Sequence, residues 1–305
     1  MTWAKANTPN RVEWGVSRFC RTDFRIYDED MTAVFEKSLV PRFFALIPCA
    51  GQGSRAVAEP LAGGPGALLP KQYQPIAGQP MVQHTLQAFA AVVRIDSCLV
   101  VVAPGDLFFN GQTDATYQIA PCGGPSRAAS VLNGLERLAG DGALPDDWVL
   151  VHDAARCLIT PDLINSLIDS CQSDPVGGLL AQPLPDTLKQ GQDGRVLATL
   201  DRSGKWLAQT PQMFRLGALT QALKMAQTLG DTMTDEASAM EAFGLSPRLV
   251  RGSAHNFKVT YREDFVLAEA LITSRKKPPA RKAAAAAEKP AKAANPDQAS
   301  SHEPV

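Results

Sequence analysis

Short apolar runs alternate with amphipathic stretches through the middle of this chain. No other feature narrows the possible folds as much. Residues 43–48, 98–103, 148–151 and 178–183 are apolar and brief. Buried parallel strands read this way because both of their faces are covered. Residues 81–93, 127–138, 161–171 and 216–229 space their apolar side chains as helices with one buried face do. Thr160-Pro161 is a helix entry, with a capping hydroxyl and a proline in the first turn. Thr260 to Glu263 fits a capping box ahead of a last helix over residues 261–274. Strands and helices in alternation predict an α/β class fold, a doubly wound and mostly parallel sheet covered on both faces. Ligands of such sheets sit beyond the carboxyl ends of the strands. Residues 186–214 break the alternation. Within them, residues 196–206 predict a β-hairpin that turns at Ser203-Gly204 and protrudes from the sheet.

The chain has 305 residues and is 45% hydrophobic, ample for one large core. A formal net charge of −1 gives no support for wholesale binding of nucleic acid or of a membrane surface. No apolar run approaches the ~18 residues of a spanning helix. The N-terminus lacks the layout of a secretory signal, so a cytoplasmic location is expected. Six cysteines (Cys20, Cys49, Cys98, Cys122, Cys157 and Cys171) are scattered without C-x-x-C pairs. They read as reduced core thiols rather than metal ligands. Residues 1–41 have weak periodicity and are expected to be a poorly structured extension, or to precede a true start near Met31. Residues 42–275 form the expected domain. From residue 276 the composition turns to Lys, Ala and Pro, the signature of a disordered tail. Seven basic residues from Arg275 onward, against three acidic ones, leave the rest of the chain near −5.

After the first apolar run comes Pro48-Cys-Ala-Gly-Gln-Gly-Ser-Arg55, and on the next loop Pro70-Lys-Gln-Tyr73. Glycines let backbone N–H groups approach anionic oxygens, and Arg55 and Lys71 can neutralise phosphate charge. Gly51-Gln-Gly-Ser-Arg-Ala56 also matches a dinucleotide fingerprint. However, it runs into a Pro/Gly-rich loop instead of a helix, which favours a triphosphate over a hydride cofactor. His152-Asp-Ala-Ala-Arg156 follows the third apolar run. Asp153 there can hold a divalent cation or a ligand hydroxyl, and reads equally as a helix cap paired with Arg156. Gly123-Gly124 offers close approach for a base, or is a plain turn. Arg202 and Lys258, each taken alone, read as solvated charges. Thr234-Asp-Glu-Ala-Ser238 reads first as a capped helix start. The histidines make no site: His84 is expected to face outward, and His152 to be a hydrogen-bonded core group.

Together with Pro185-Asp-Thr187, Asp201-Arg202, Thr210-Pro-Gln212 and Lys258-Val-Thr260, these ordered motifs resemble one family. It is the 2-C-methyl-D-erythritol 4-phosphate cytidylyltransferases of the non-mevalonate isoprenoid pathway. The resemblance spans residues 45–273. It implies a Rossmann-like nucleotidyltransferase fold and transfer of CMP from CTP to the alcohol phosphate, with Mg²⁺ or another divalent cation. By the same resemblance Arg55 and Lys71 stabilise the transition state, and Arg202 and Lys258 position the attacking phosphate. Pro48, Ala50, Gly51, Gly53, Gly124, Ser130 and Ala154 line the cytidine pocket. Asp153, Arg156, Thr187, Thr210 and Thr234 serve the alcohol end, with Asp153 also near the metal. The hairpin becomes an arm exchanged within a homodimer. Three departures stand out: residues 59–69 look inserted, Pro125 stands where the family usually has Asp, and Cys157 where it usually has Pro.

Two other readings remain beside this one. The same chemistry could act on another polyol phosphate such as ribitol 5-phosphate, or the fold could serve a non-catalytic nucleotide-binding regulator. The roughly 30 low-complexity residues at the end read as too short for a second enzyme.

Overall fold

The structure, a computed structural model, describes residues 41–51, 69–112, 114–230 and 233–276. Gly53, Arg55, nearly all of the 59–69 stretch, residues 1–40 and the segment after Lys276 lie outside the described residues.

The first strand, β1 (Phe43–Pro48), leads to a two-residue pair, β2 (Pro75–Ile76) and β3 (Gln79–Pro80), and then to α1 (Met81–Ala90). β4 (Ser97–Val101), β5 (Gln118–Ala120), α2 (Arg127–Gly140), β6 (Trp148–Val151), α3 (Pro161–Cys171) and β7 (Gly177–Pro183) follow. Next come β8 (Leu188–Gln192), β9 (Arg195–Leu200), β10 (Trp206–Arg215), α4 (Leu216–Leu229), α5 (Glu236–Ala242), β11 (Arg248–Arg251) and α6 (Arg262–Lys276). Seven strands form one sheet in the order β11-β7-β10-β6-β1-β4-β5. β10 runs antiparallel to both of its neighbours, and every other pairing is parallel. The expected α/β sheet is therefore present.

Both faces are covered. Along β1 the pleat sends Ala45 and Ile47 into one cluster and Leu46 into the other, and all three are wholly buried. α1 and α3 cover the first face with Leu86, Phe89, Ile164 and Leu167. α2, α4 and α5 cover the second with Leu135, Leu219, Leu223 and Met240. Each fully buried side chain of this size contributes about 1.5–3 kcal/mol. A smaller cluster joins Ile76, Met81, Leu158 and Val259 to Ala268 and Ile272 of α6. The helices start where the caps fall. Thr160 Oγ1 accepts from the Leu163 N–H at 3.4 Å ahead of α3, and Ser126 Oγ accepts from Ala129 at 3.1 Å ahead of α2.

From β1 the chain crosses to β4 and β5 on one side, then returns to β6 on the other. That reversal opens a crevice at the carboxyl ends of β1 and β6, where doubly wound sheets bind ligands.

Three local expectations change. The separate hairpin is β8–β9, turning at Asp193 and Gly194 with φ of 51° and 74°, not at Ser203-Gly204. Asp-Gly accepts two successive positive φ angles, which a tight hairpin needs. Gly204 instead turns the chain into β10, which pairs in the main sheet rather than in the hairpin. His84 is buried rather than outward: its Nε2 lies 2.8 Å from the Ile76 carbonyl and its Nδ1 2.7 Å from Gln79. Ahead of α6 the capping acceptor is Asp264, which takes the Thr260 and Tyr261 N–H groups at 2.7 and 2.8 Å. The Thr260 hydroxyl turns instead to the Lys258 carbonyl.

Candidate active site

The crevice holds a cleft of about 560 Å³. Pro48, Ala50 and Gly51 reach it from the loop after β1, Gly124 and Ser130 from the start of α2, and Ala154 from the loop after β6. Every described residue expected to line the cytidine pocket is thus in one place. Close approach explains the glycines. A Cβ on Gly123 would lie 2.3 Å from the Ala50 Cβ and 2.8 Å from the Val102 carbonyl oxygen, so only glycine fits. The Gly124 N–H donates to Ser130 Oγ at 3.0 Å, and Asn133 Nδ2 donates to the Cys122 carbonyl at 2.7 Å. These bonds fix the loop against the helix. Pro125 also lines the cleft and brings no carboxylate to it.

Lys71 begins a single 3-10 turn, Lys71–Tyr73, on the opposite wall. Its Nζ donates to the Val259 carbonyl at 2.6 Å. Next to it, buried Gln72 uses one amide nitrogen twice, donating to the Cys49 and Gly51 carbonyls at 2.8 Å each. The Tyr73 hydroxyl donates to Asp106 at 2.6 Å while its ring stacks on Phe108 at 3.9 Å. The lysine turn is therefore latched to the glycine loop, which sequence reasoning missed. The signal was adjacency to Lys71.

A second cleft, about 240 Å³, shares Arg127, Asp153 and Lys258 with the first and adds Arg156, Thr210 and Thr234. Asp153 stands in the wall between them. Arg127 Nε donates to its Oδ1 at 2.8 Å and Lys258 Nζ to its Oδ2 at 2.8 Å, while Arg156 Nε lies 3.8 Å from Oδ2. Its backbone N–H donates to Thr210 Oγ1 at 3.0 Å. Burial alone would raise the Asp153 carboxyl, but Arg127, then Lys258 and Arg156, hold it well below the usual carboxylate range. Burial lowers the Arg156 guanidinium below its ordinary value, against the pull of Asp153. Buried His152 is pushed down to about 3, so it stays a neutral core group bonded to Thr210, as the sequence suggests.

Lys71, Arg127, Arg156 and Lys258 face the two clefts against the carboxylates Asp153 and Asp235. The surplus of positive charge suits anionic ligands. Arg127 was also missed from sequence. Its Nη1 and Nη2 donate to both oxygens of Glu236, at 2.6 and 3.0 Å, across a gap of 109 residues that no local pattern reveals. Thr187 and Arg202 line neither cleft. Both are exposed, and Arg202 Nη1 donates to the Pro185 carbonyl. Cys49, Cys98, Cys157 and Cys171 are buried free thiols pushed up to about 12 by burial, and Cys157 sits in the small cluster under α6. Among the described residues no helix is long and apolar enough to cross a membrane.

A glycine loop at the reversal point of a doubly wound sheet, facing surplus cations, is the arrangement of an α/β nucleotide-binding protein. Residues 43–274 match the family described as IspD, 2-C-methyl-D-erythritol 4-phosphate cytidylyltransferase, and the chain belongs to that family. It is 64% identical to the bifunctional enzyme IspD/IspF of Albidiferax ferrireducens over 79% of this chain, spanning only 55% of that protein. It is 52% identical to the 2-C-methyl-D-erythritol 4-phosphate cytidylyltransferase of Paraburkholderia phytofirmans, over 77% of this chain and 98% of that one. Among solved structures, a 4-diphosphocytidyl-2C-methyl-D-erythritol synthase superposes with a TM-score of 0.66 at 36% identity, over 77% of this chain and all of the other. The Francisella tularensis cytidylyltransferase follows with a TM-score of 0.63 at 34% identity, over 75% and 99%.

Proposed function

We propose that this chain transfers the cytidylyl group of CTP to 2-C-methyl-D-erythritol 4-phosphate. An oxygen of the alcohol's phosphate attacks the α-phosphorus of CTP. The bond from that phosphorus to the bridging β-phosphate oxygen breaks, and pyrophosphate leaves. The observation that carries this reading is the placement of Asp153, Arg127 and Lys258 in a wall shared by two adjoining clefts. One cleft suits a nucleotide and the other a small anionic alcohol, with the junction where their phosphates would meet.

Little covalent chemistry is required of the protein. Bringing two anions together and neutralising the charge that develops is the catalytic task. Arg55 and Lys71 would neutralise the triphosphate, while Lys258 and Arg202 would hold the attacking phosphate. Thr210, Arg156, Thr234 and Thr187 would serve the alcohol end, and Gly53 the nucleotide loop. Arg202 lines neither cleft of its own chain, which supports a homodimer in which the hairpin of one copy completes the site of the other. Residues 42–275 would form the catalytic domain, and unpaired buried thiols fit a reducing, cytoplasmic setting.

Among the described residues no three metal-type side chains cluster, and Asp153 is the carboxylate that lines the nucleotide cleft. That donor set fits Mg²⁺, which takes one or two protein carboxylates and fills its shell with phosphate oxygens and water. When bound, the ion would withdraw charge from the triphosphate.

A coupled pyrophosphate-release assay with CTP and each alcohol tests the reading. Turnover with 2-C-methyl-D-erythritol 4-phosphate is expected. Activity on ribitol 5-phosphate alone would replace the substrate, and CTP binding without any turnover would make the chain a regulator.

A further inference from the structure

Arg127 opens α2 immediately after its Ser126 cap, yet its side chain leaves the helix and faces both clefts. Three of its five N–H groups are assigned: Nε to Asp153, and Nη1 and Nη2 to the two oxygens of Glu236. Glu236 is 1% exposed and has no role in binding that its position would suggest. It lies in the first turn of α5, where the helix dipole favours a carboxylate. A buried carboxylate held by a two-pronged guanidinium is a rigid anchor, since both torsion and plane are fixed.

The same groups close a ring. Asp153 donates its N–H to Thr210, two residues along β10 stands Gln212, and Gln212 Nε2 donates to Asp235 Oδ2 at 2.9 Å. Gln212 Oε1 in turn accepts from the Ala237 N–H at 2.7 Å. Asp235 adjoins Glu236, and Glu236 returns through Arg127 to Asp153. Four elements are tied in one circuit: the start of α2, the loop after β6, β10 and the start of α5. With Arg127 on Oδ1, the Asp153 carboxylate is turned so that Oδ2 meets Lys258 in the shared wall.

Resting on the cytidylyl-transfer reading, we infer that Arg127 and Glu236 are positioning residues. They hold the Asp153 carboxylate so that its Oδ2 keeps Lys258, the cation of the attacking phosphate, in the shared wall, and they join the alcohol half of the site to the nucleotide half. The pair acts through Asp153, so its loss raises the KM for the alcohol phosphate and lowers kcat while leaving the KM for CTP nearly unchanged.

Removing one partner strands a buried charge, so the informative variant is the apolar pair Arg127→Met/Glu236→Leu, which keeps volume without charge. Wild type, this double variant and Arg127→Lys are compared by thermal melting and by steady-state kinetics in each substrate. The double variant is expected to fold but to melt below wild type, because Asp153 loses one of its cations, with kcat/KM for the alcohol phosphate down about 10²-fold, as misplacement by an ångström produces. Arg127→Lys, which keeps the charge but not the fork, is expected to show the same split between the two KM values. A stable double variant with wild-type kinetics would make the pair purely structural and overturn the inference. If the double variant fails to fold, equal changes in both KM values for Arg127→Lys overturn it in the same way. Wild type that is inactive with both alcohols would sink the functional reading instead, a separate outcome.

Discussion

Lys71 projects from a turn whose next residue, Gln72, is clamped to two carbonyls of the glycine loop. A charge donor held this way is preorganised before substrate arrives, so little reorganisation opposes its use. Lys71→Ala is expected to lower kcat by at least about 10²-fold without changing the melting temperature, as loss of one such donor does. Gln72→Glu replaces the double donor with an acceptor that faces two carbonyl oxygens. Its expected effect is a KM for CTP raised about tenfold or more, with the KM for the alcohol phosphate unchanged; equal changes in both would refute the latch. Lys71 and Asp153 were legible because each lies in a short motif beside a glycine loop or a strand end, whereas Lys258, a solvated charge when taken alone, entered the site only through the family resemblance. The Arg127–Glu236 pair was not, because its partners lie 109 residues apart and the motif around Glu236 reads as a cap. The Asp153 environment was half legible: its Arg156 neighbour is local, whereas Lys258 reaches it only through the fold.

The helix boundaries came through where caps were explicit. α3 begins at Pro161 behind Thr160, and α5 begins behind Asp235, which accepts from the Ser238 N–H at 2.9 Å while the Asp235 N–H donates to Ser238 Oγ at 3.3 Å. That cap also places Thr234 and Asp235 at the second cleft. Asp235→Ala is expected to lower stability by about 1 kcal/mol, read by urea unfolding, and to weaken the alcohol phosphate more than CTP. No change in stability would mean that packing alone sets the helix start. The hairpin was misread because Ser203-Gly204 and Asp193-Gly194 are both good turn signals. The chain uses both, and only pairing across strands decides which one closes the hairpin. Ahead of α6, Thr260 looked like the cap because hydroxyls usually are, but the Asp264 carboxylate lies close enough to take both N–H groups.

At the level of the whole molecule, the doubly wound, mostly parallel sheet was legible in the alternation of strands and helices, whereas the strand order and the antiparallel β10 were not, since they depend on pairing between distant segments. Val196 is 65% and Leu197 59% exposed on β9, apolar surface that the chain itself leaves uncovered. In the proposed homodimer a second copy would cover it and bring Arg202 to a foreign site. Mixing refolded Arg202→Ala and Lys258→Ala chains tests this arrangement. Each mixed dimer would contain one intact site, so activity should recover to about a quarter of wild type, as random pairing in a two-fold dimer gives. No recovery would keep Arg202 within its own chain or outside the reaction.

In the proposed reaction, cations separated along the chain converge on the phosphates at the carboxyl ends of β1 and β6. The most direct test of this convergence is a crystal structure with CTP and Mg²⁺ bound. The expected result places the cytosine beside Gly124 and Ser130, with Lys71 and Arg55 within hydrogen-bonding distance of the triphosphate. A triphosphate bound elsewhere, or Lys71 still bonded to the Val259 carbonyl and out of reach of every phosphate oxygen, would contradict the account.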